Sequence, residues 1–271
     1  VAHPDADAIL AWYAAVQRDL PWRRTTDPYP ILVSEVMLQQ TQVARVVPYY
    51  EAWLERFPSE VALASAPAAD VLRLWSGLGY NRRALALQAA CVAVVRDGWP
   101  SDVQGLMGLS GVGPYTAAAV ASFAFDVQAA VVDTNVRRVI ERMDRRKRRA
   151  PELAGRAQAL VPAGRAADWN QALMELGATV CTARAPSCEA CPAVSCRSHG
   201  RPFLAPTARR GAGERVRFED TDRYVRGRVV AGLVAGKGLP GGIEPERLER
   251  ALAGLARDGL VVRDGETIRL P

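Results

Sequence analysis

The sequence predicts an all-α protein closed by a small module of winged-helix outline, and three features carry that prediction. Ala-, Leu- and Arg-rich segments with helical spacing recur from Ala8 to Val180, broken by short Pro, Gly and Ser punctuation. Short strands are expected at the very end, where an Asp264-Gly265 turn divides the apolar stretch 260–270. The length of 271 residues, with 49% hydrophobic and 24% charged side chains, gives an ordinary globular mixture with room for more than one domain.

The elements follow in chain order. A helix is predicted over 34–47, with Ser34 as N-cap, Glu35 suiting the positive end of the helix dipole, and Val36, Gln40, Val43 and Val47 in one helical row. Further helices are predicted at 47–56, 68–75, 82–97, 102–108, 114–124, 135–143, 152–160 and 169–180. Residues 197–216 hold Arg, Gly, Pro and Ala without periodicity and read as a linker. Helices over 224–234 and 245–257 then precede the hairpin. A plain packing appendage would have the same outline.

Charge and residue usage narrow the chemistry. The net charge of +6 (35 basic, 29 acidic) favours a polyanionic partner. All but Lys147 and Lys237 of the basic residues are arginine. His3 and His199 are the two histidines, near chain or segment ends, so acid–base work must rest on carboxylates, tyrosines or metal. No stretch approaches the roughly 18 uncharged apolar residues of a membrane span, and no charged-then-apolar leader pattern opens the chain; a soluble protein is expected.

Cys91 lies in an apolar run and reads as a small buried thiol. Cys181, Cys188, Cys191 and Cys196 are spaced C-x6-C-x2-C-x4-C. A disulfide framework is out of place in a chain of this size without a secretion signal, so the cluster reads as a metal site. Zinc usually takes two separated ligand pairs, whereas one compact loop better suits a four-thiolate iron–sulfur cluster; spacing alone leaves both open.

In Leu109-Ser-Gly-Val-Gly-Pro-Tyr-Thr-Ala-Ala-Ala-Val120, Gly111 and Gly113 allow a tight turn, and Pro114 suits the first position of a new helix. The reading is a helix–hairpin–helix whose second helix points free N–H groups outward, fit for a phosphate oxygen with a monovalent or divalent cation assisting. In Val131-Val-Asp-Thr-Asn-Val-Arg-Arg138, Asp133 reads as an N-cap whose second oxygen is able to face a cleft. Arg137, Arg138, Arg142 and the run 145–149 read as a solvated basic loop or a backbone-binding stripe.

Together with Pro21-Trp-Arg-Arg24, Asp27-Pro-Tyr29, Ser34-Glu-Val-Met-Leu-Gln-Gln-Thr-Gln-Val43, Leu74-Trp-Ser-Gly-Leu-Gly-Tyr80 and Leu173-Met-Glu-Leu-Gly-Ala-Thr-Val-Cys181, these motifs resemble, in family order, the helix–hairpin–helix DNA glycosylases, and among them the adenine DNA glycosylases. The resemblance covers about residues 8–196. It implies a two-lobed core with the active site between the lobes: a six-helix barrel over 23–127, and an iron–sulfur domain from 1–22 and 128–200 carrying one [4Fe-4S] cluster on the four cysteines. Residues 201–271 would be linker and winged-helix-like module.

The implied activity is base excision repair, hydrolysing the N-glycosidic bond of adenine mispaired with 8-oxoguanine or guanine in double-stranded DNA. A monomer in the cytoplasm, at a bacterial nucleoid, is implied as well. Glu35 matches the acid that protonates adenine, and Asp133 the carboxylate that stabilises the oxocarbenium-like sugar by charge or by a transient bond. Tyr115 and Asn135 match supporting positions. Gln40, Thr41, Leu78 and Tyr80 match residues that fill the gap left by the extruded base and probe its partner. Trp22 and Arg23 match residues of the lesion pocket. Relatives that also cut the backbone carry a Schiff-base lysine just after the Gly-x-Gly turn; Tyr115 stands there instead, which implies excision without efficient strand cleavage.

The chain departs from the family pattern in three places. The last cysteine gap is x4 where x5 is common, and Asn81 replaces the second aromatic of the usual Gly-Tyr-Tyr. The C-terminal 70 or so residues resemble the tail of a shorter-chain subgroup and not the Nudix-like domain that reads 8-oxoguanine elsewhere. Two rival readings therefore stand: the same fold acting on another base such as hypoxanthine, and a non-enzymatic iron–sulfur DNA-binding regulator.

Overall fold

The computed structural model describes residues 3–201, 217–265 and 267–271. Of the expected linker, 202–216 lies outside the described residues. The remainder of that stretch is not linker: Arg197 donates its backbone N–H to Met143 at 3.0 Å and Ser198 is buried, so the packed loop runs on past Cys196.

The helices are α1 (Ala6–Val16), α2 (Pro28–Leu38), α3 (Val43–Arg56), α4 (Glu60–Ala64), α5 (Ala68–Trp75), α6 (Arg82–Asp97), α7 (Val103–Met107), α8 (Pro114–Phe125), α9 (Thr134–Met143), α10 (Ala150–Leu160), α11 (Ala166–Thr179), α12 (Asp222–Val234) and α13 (Pro245–Arg257). A 3-10 turn, Pro21–Arg23, precedes α2. Strands β1 (Val262–Asp264) and β2 (Thr267–Arg269) pair antiparallel, Arg263 opposite Ile268.

The single helix expected over 34–47 is instead parts of two. Ser34 is not a cap; it sits inside α2 with its hydroxyl donating to the Ile31 carbonyl at 2.8 Å. The chain breaks at Gln40, which adopts φ 59°. The cause is tertiary. The Arg83 guanidinium donates to the carbonyls of Val36 and Gln39, both at 2.7 Å, and draws the end of α2 into a turn. α3 then begins at Val43, four residues earlier than expected, and accommodates Pro48 internally. α4 was not expected; Ser59 caps it, accepting from the Ala62 N–H at 3.3 Å.

The chain forms two compact units. The first comprises Val1–Glu35, Trp99–Gly108 and Val112–Arg210. Its core joins Ile9, Leu10 and Tyr13 of α1 to Val139 and Ile140 of α9, Leu160 of α10 and Trp169, Leu173 and Leu176 of α11. Within it α8 is buried from Thr116 to Ser122, because small residues on every side let neighbouring elements approach.

The second unit comprises Val36–Gly98, Leu109–Gly111 and Gly211–Pro271. Trp53 packs edge-on against Phe57 and Trp75, with ring centroids 5.2 and 5.5 Å away. Leu72 of α5 is fully buried among Val225 and Val229 of α12, Leu252 and Leu255 of α13, and Leu270 beyond the hairpin. The C-terminal module thus shares a core with α5. Among the described residues no helix is long and apolar enough to cross a membrane.

Candidate active site and cysteine loop

Glu35 stands inside α2 and is 6% exposed. Burial pushes its carboxyl up to about 7; a hydrogen bond from Tyr115 draws it down somewhat, and the nearby carboxylate of Asp133 pushes it up again. Tyr115 lies in the first turn of α8, just after Gly113 and Pro114. Its own pKa is raised well above the phenol range by burial and by the charges of Glu35 and Asp133, which keeps it a donor.

Asp133 is the N-cap of α9. Its Oδ1 accepts from the Val136 N–H at 2.6 Å, and its Oδ2 accepts from the Asn135 amide at 3.0 Å. The first unit therefore gathers Glu35, Tyr115, Asp133 and Asn135: one carboxyl held partly protonated at neutral pH, a second carboxylate beside it, and two hydrogen-bond donors that orient the pair.

Behind this group the bonds continue to the cysteines. Arg138 donates to Asn135 Oδ1 at 2.7 Å, to the Gly177 carbonyl at 2.5 Å and, through Nε, to the Cys181 carbonyl at 2.8 Å. One turn on, Arg142 donates to Cys181 Sγ at 3.3 Å and to the Thr182 carbonyl at 2.7 Å. These two arginines are neither a solvated loop nor a backbone stripe, because loop carbonyls occupy their guanidinium groups. Arg148 belongs to a third pattern, pairing with Asp144 at 2.8 Å alongside Arg156 at 2.9 Å. Gly177 makes the approach of α11 to α9 possible, since a Cβ there would stand 2.6 Å from Asn135 Cβ.

Cys181, Cys188, Cys191 and Cys196 all line one cavity of about 270 Å³, together with Arg142, Arg184 and His199. All four thiols are free. Among the described residues no three metal-ligating side chains converge on a single ion position. Asp5 tethers the loop from the N-terminal side, accepting from the Ser195 N–H at 2.8 Å and its hydroxyl at 2.6 Å.

The remaining expected site residues lie as follows. Trp22 is buried. Arg23 donates to Glu175 at 2.8 Å and lies 5.5 Å from the Tyr13 ring centroid, while Arg18 grips the same carboxylate at 2.6 Å. Burial would raise Glu175, but the hydrogen bonds of Arg18 and Arg23 hold it below the usual range. Gln40, Thr41, Leu78 and Tyr80 belong to the second unit. Leu78 is buried, whereas Tyr80 is 43% exposed with φ 50°. Arg83 also holds that turn, donating to the carbonyls of Leu78 at 3.3 Å and Gly79 at 3.1 Å. Gly111 adopts φ +74° and faces Ala86, where a Cβ would meet Cβ at 2.8 Å. Gly113 has ordinary extended backbone and open space on its Cβ side. Cys91 is fully buried, and burial pushes its thiol up to about 12.

Arg83, Asp5 and Gly177, which sequence reasoning missed, and Arg138 and Arg142, which it read as basic surface, hold the others in place. Only the 3- and 4-residue offsets of Arg138 and Arg142 from Asn135 and Arg138 hinted that they share a helix face.

Residues 33–163 match the family model of the HhH-GPD superfamily base excision DNA repair proteins. The adenine DNA glycosylase of Mycolicibacterium smegmatis is 44% identical over 93% of this chain and 91% of its own length. The human adenine DNA glycosylase is 44% identical over 72% of this chain and 39% of its own. Among solved structures, a thermostable thymine-DNA glycosylase superposes with a TM-score of 0.67 at 32% identity, over 72% of this chain and 94% of that one. The chain belongs to the adenine DNA glycosylases of the HhH-GPD superfamily.

Proposed function

We propose that the protein excises adenine mispaired with 8-oxoguanine or guanine in double-stranded DNA, acting as a monomer and leaving the sugar–phosphate backbone uncut. The carrying observation is the buried Glu35, raised to about 7, bonded by Tyr115 and faced by Asp133. Adenine is a poor leaving group as an anion, so a proton must reach its ring nitrogen as the bond from C1′ to N9 breaks. Glu35 gives that proton, and the bonding pair departs with the base. Positive charge then builds on the sugar, and Asp133 stabilises it, its orientation fixed by the Val136 N–H and the Asn135 amide. Water adds at C1′ and returns a proton to the carboxylate of Glu35.

In this reading Trp22 and Arg23 wall the pocket of the extruded base. Gln40, Thr41 and Tyr80 contact the duplex, with Leu78 packed beneath the Tyr80 turn. The open backbone at Gly113 and the uncapped start of α8 take a phosphate, with a cation assisting, and Gly111 supplies the tight turn that precedes them. Cys181, Cys188, Cys191 and Cys196 hold a [4Fe-4S] cluster, and the shared cavity of about 270 Å³ supports that assignment. When bound, the cluster supplies four iron–thiolate bonds that close the loop. Tyr115, in the place of a Schiff-base lysine, supports base release without strand cleavage.

The test is Glu35→Gln, assayed on a duplex with adenine opposite 8-oxoguanine. Base release is expected to vanish while duplex binding persists. Normal release by the variant would refute the assigned acid.

A further inference from the structure

Among the described residues two buried side-chain polar atoms have no hydrogen-bond partner, Arg83 Nε and Ser198 Oγ. They are not alike. The other nitrogens of Arg83 donate to the carbonyls of two turns, so its guanidinium is satisfied elsewhere. Ser198 has a single polar side-chain atom and is 4% exposed, and burying a hydroxyl without a partner is costly.

The surroundings narrow the partner. Ser198 lies two residues past Cys196, in a turn held by three backbone bonds: Arg197 to Met143 at 3.0 Å, His199 to Cys196 at 2.9 Å and Arg201 to Ser198 at 3.1 Å. The turn places Ser198 in the wall of the cavity of about 270 Å³ that the four cysteines share, and no carboxylate lines it. Neighbouring donors already serve sulfur there. Arg142 donates to Cys181 Sγ at 3.3 Å. Burial raises the Cys196 thiol, while backbone hydrogen bonds from Ser198 and His199 favour its thiolate. A serine hydroxyl has one O–H to give. In a lining of thiols and basic side chains, the acceptor on offer is sulfur.

We propose that the Ser198 hydroxyl donates a hydrogen bond to a sulfur of the cluster that the four cysteines hold, and so raises the potential at which the cluster takes up an electron. A donor to a cluster sulfur favours the more negative, reduced state. The proposal rests on the [4Fe-4S] reading and is independent of which base is excised.

The test uses the full chain with its metal. Iron and sulfide contents of the wild type come first; zinc in their place overturns the cluster reading and this proposal with it. The one-electron potential is then read by protein-film voltammetry. Ser198→Ala and Ser198→Val are expected to lower it by about 59 mV, a tenfold change in the ratio of oxidised to reduced cluster at a fixed potential. Ser198→Thr, which keeps the hydroxyl in nearly the shape of valine, should hold the wild-type value. Equal potentials in Ser198→Ala and wild type overturn the proposal while leaving the cluster reading intact. So does a shift as large in Ser198→Thr as in Ser198→Val, which marks space and not the hydroxyl. If Ser198→Val takes up no iron, loading by Ser198→Thr supports the bond and failure by both overturns it.

Discussion

Glu35 shows how much of the chemistry depends on one side chain's surroundings. Its carboxyl moves from an ordinary 4.5 to about 7 because burial outweighs the bond from Tyr115. In the proposed mechanism the acid form of Glu35 is the working form, so the single-turnover excision rate should be flat below about pH 7 and fall about tenfold per unit above it. A rate that keeps rising above pH 8 would contradict that role. Folding responds with the same sign: the folded state keeps a proton that the unfolded chain releases, so this group removes stability as pH climbs from 4.5 toward 7. Glu35 and Asp133 were legible in the sequence through the motifs around them. Arg138 was not, because its partners are an amide in the same turn and carbonyls of Gly177 and Cys181 some forty residues away, and no local pattern encodes such targets.

At the scale of elements, α5, α6 and α13 begin and end where their periodicity places them. The run from Ser34 to Val47 misled because its apolar row continues through Gln40, while the break comes from Arg83, more than forty residues on. The contact of α9 with α11 depends on Gly177, where any side chain would press on Asn135. Gly177→Ala should push the helices apart, loosen the bond from Asn135 to Asp133, and slow excision by roughly tenfold to a hundredfold, as small misplacements near reacting groups do. Circular dichroism should show the helices intact; excision at the wild-type rate would mean that Asn135 tolerates the shift.

Across the whole molecule, the C-terminal module is a partner in a core and not a pendant. Leu72 of α5 is fully buried among the side chains of α12 and α13. Leu72→Ala should cost about 2–5 kcal/mol, read from the urea unfolding midpoint, and should speed amide exchange in α12 and α13. Exchange unchanged in those helices would mean that the module holds itself together without α5. The order helix, helix, hairpin was visible from periodicity and from the Asp264-Gly265 turn. The dependence on α5 was hidden, because a lone leucine in an amphipathic helix announces burial but not its neighbour.

Arg83 has a mechanical corollary. One guanidinium is fastened both to the end of α2 and to the turn before Tyr80. Gln40 and Tyr80 consequently behave as the jaws of a caliper locked at one setting: neither can swing without dragging the other, and whatever enters between them must already be the right width.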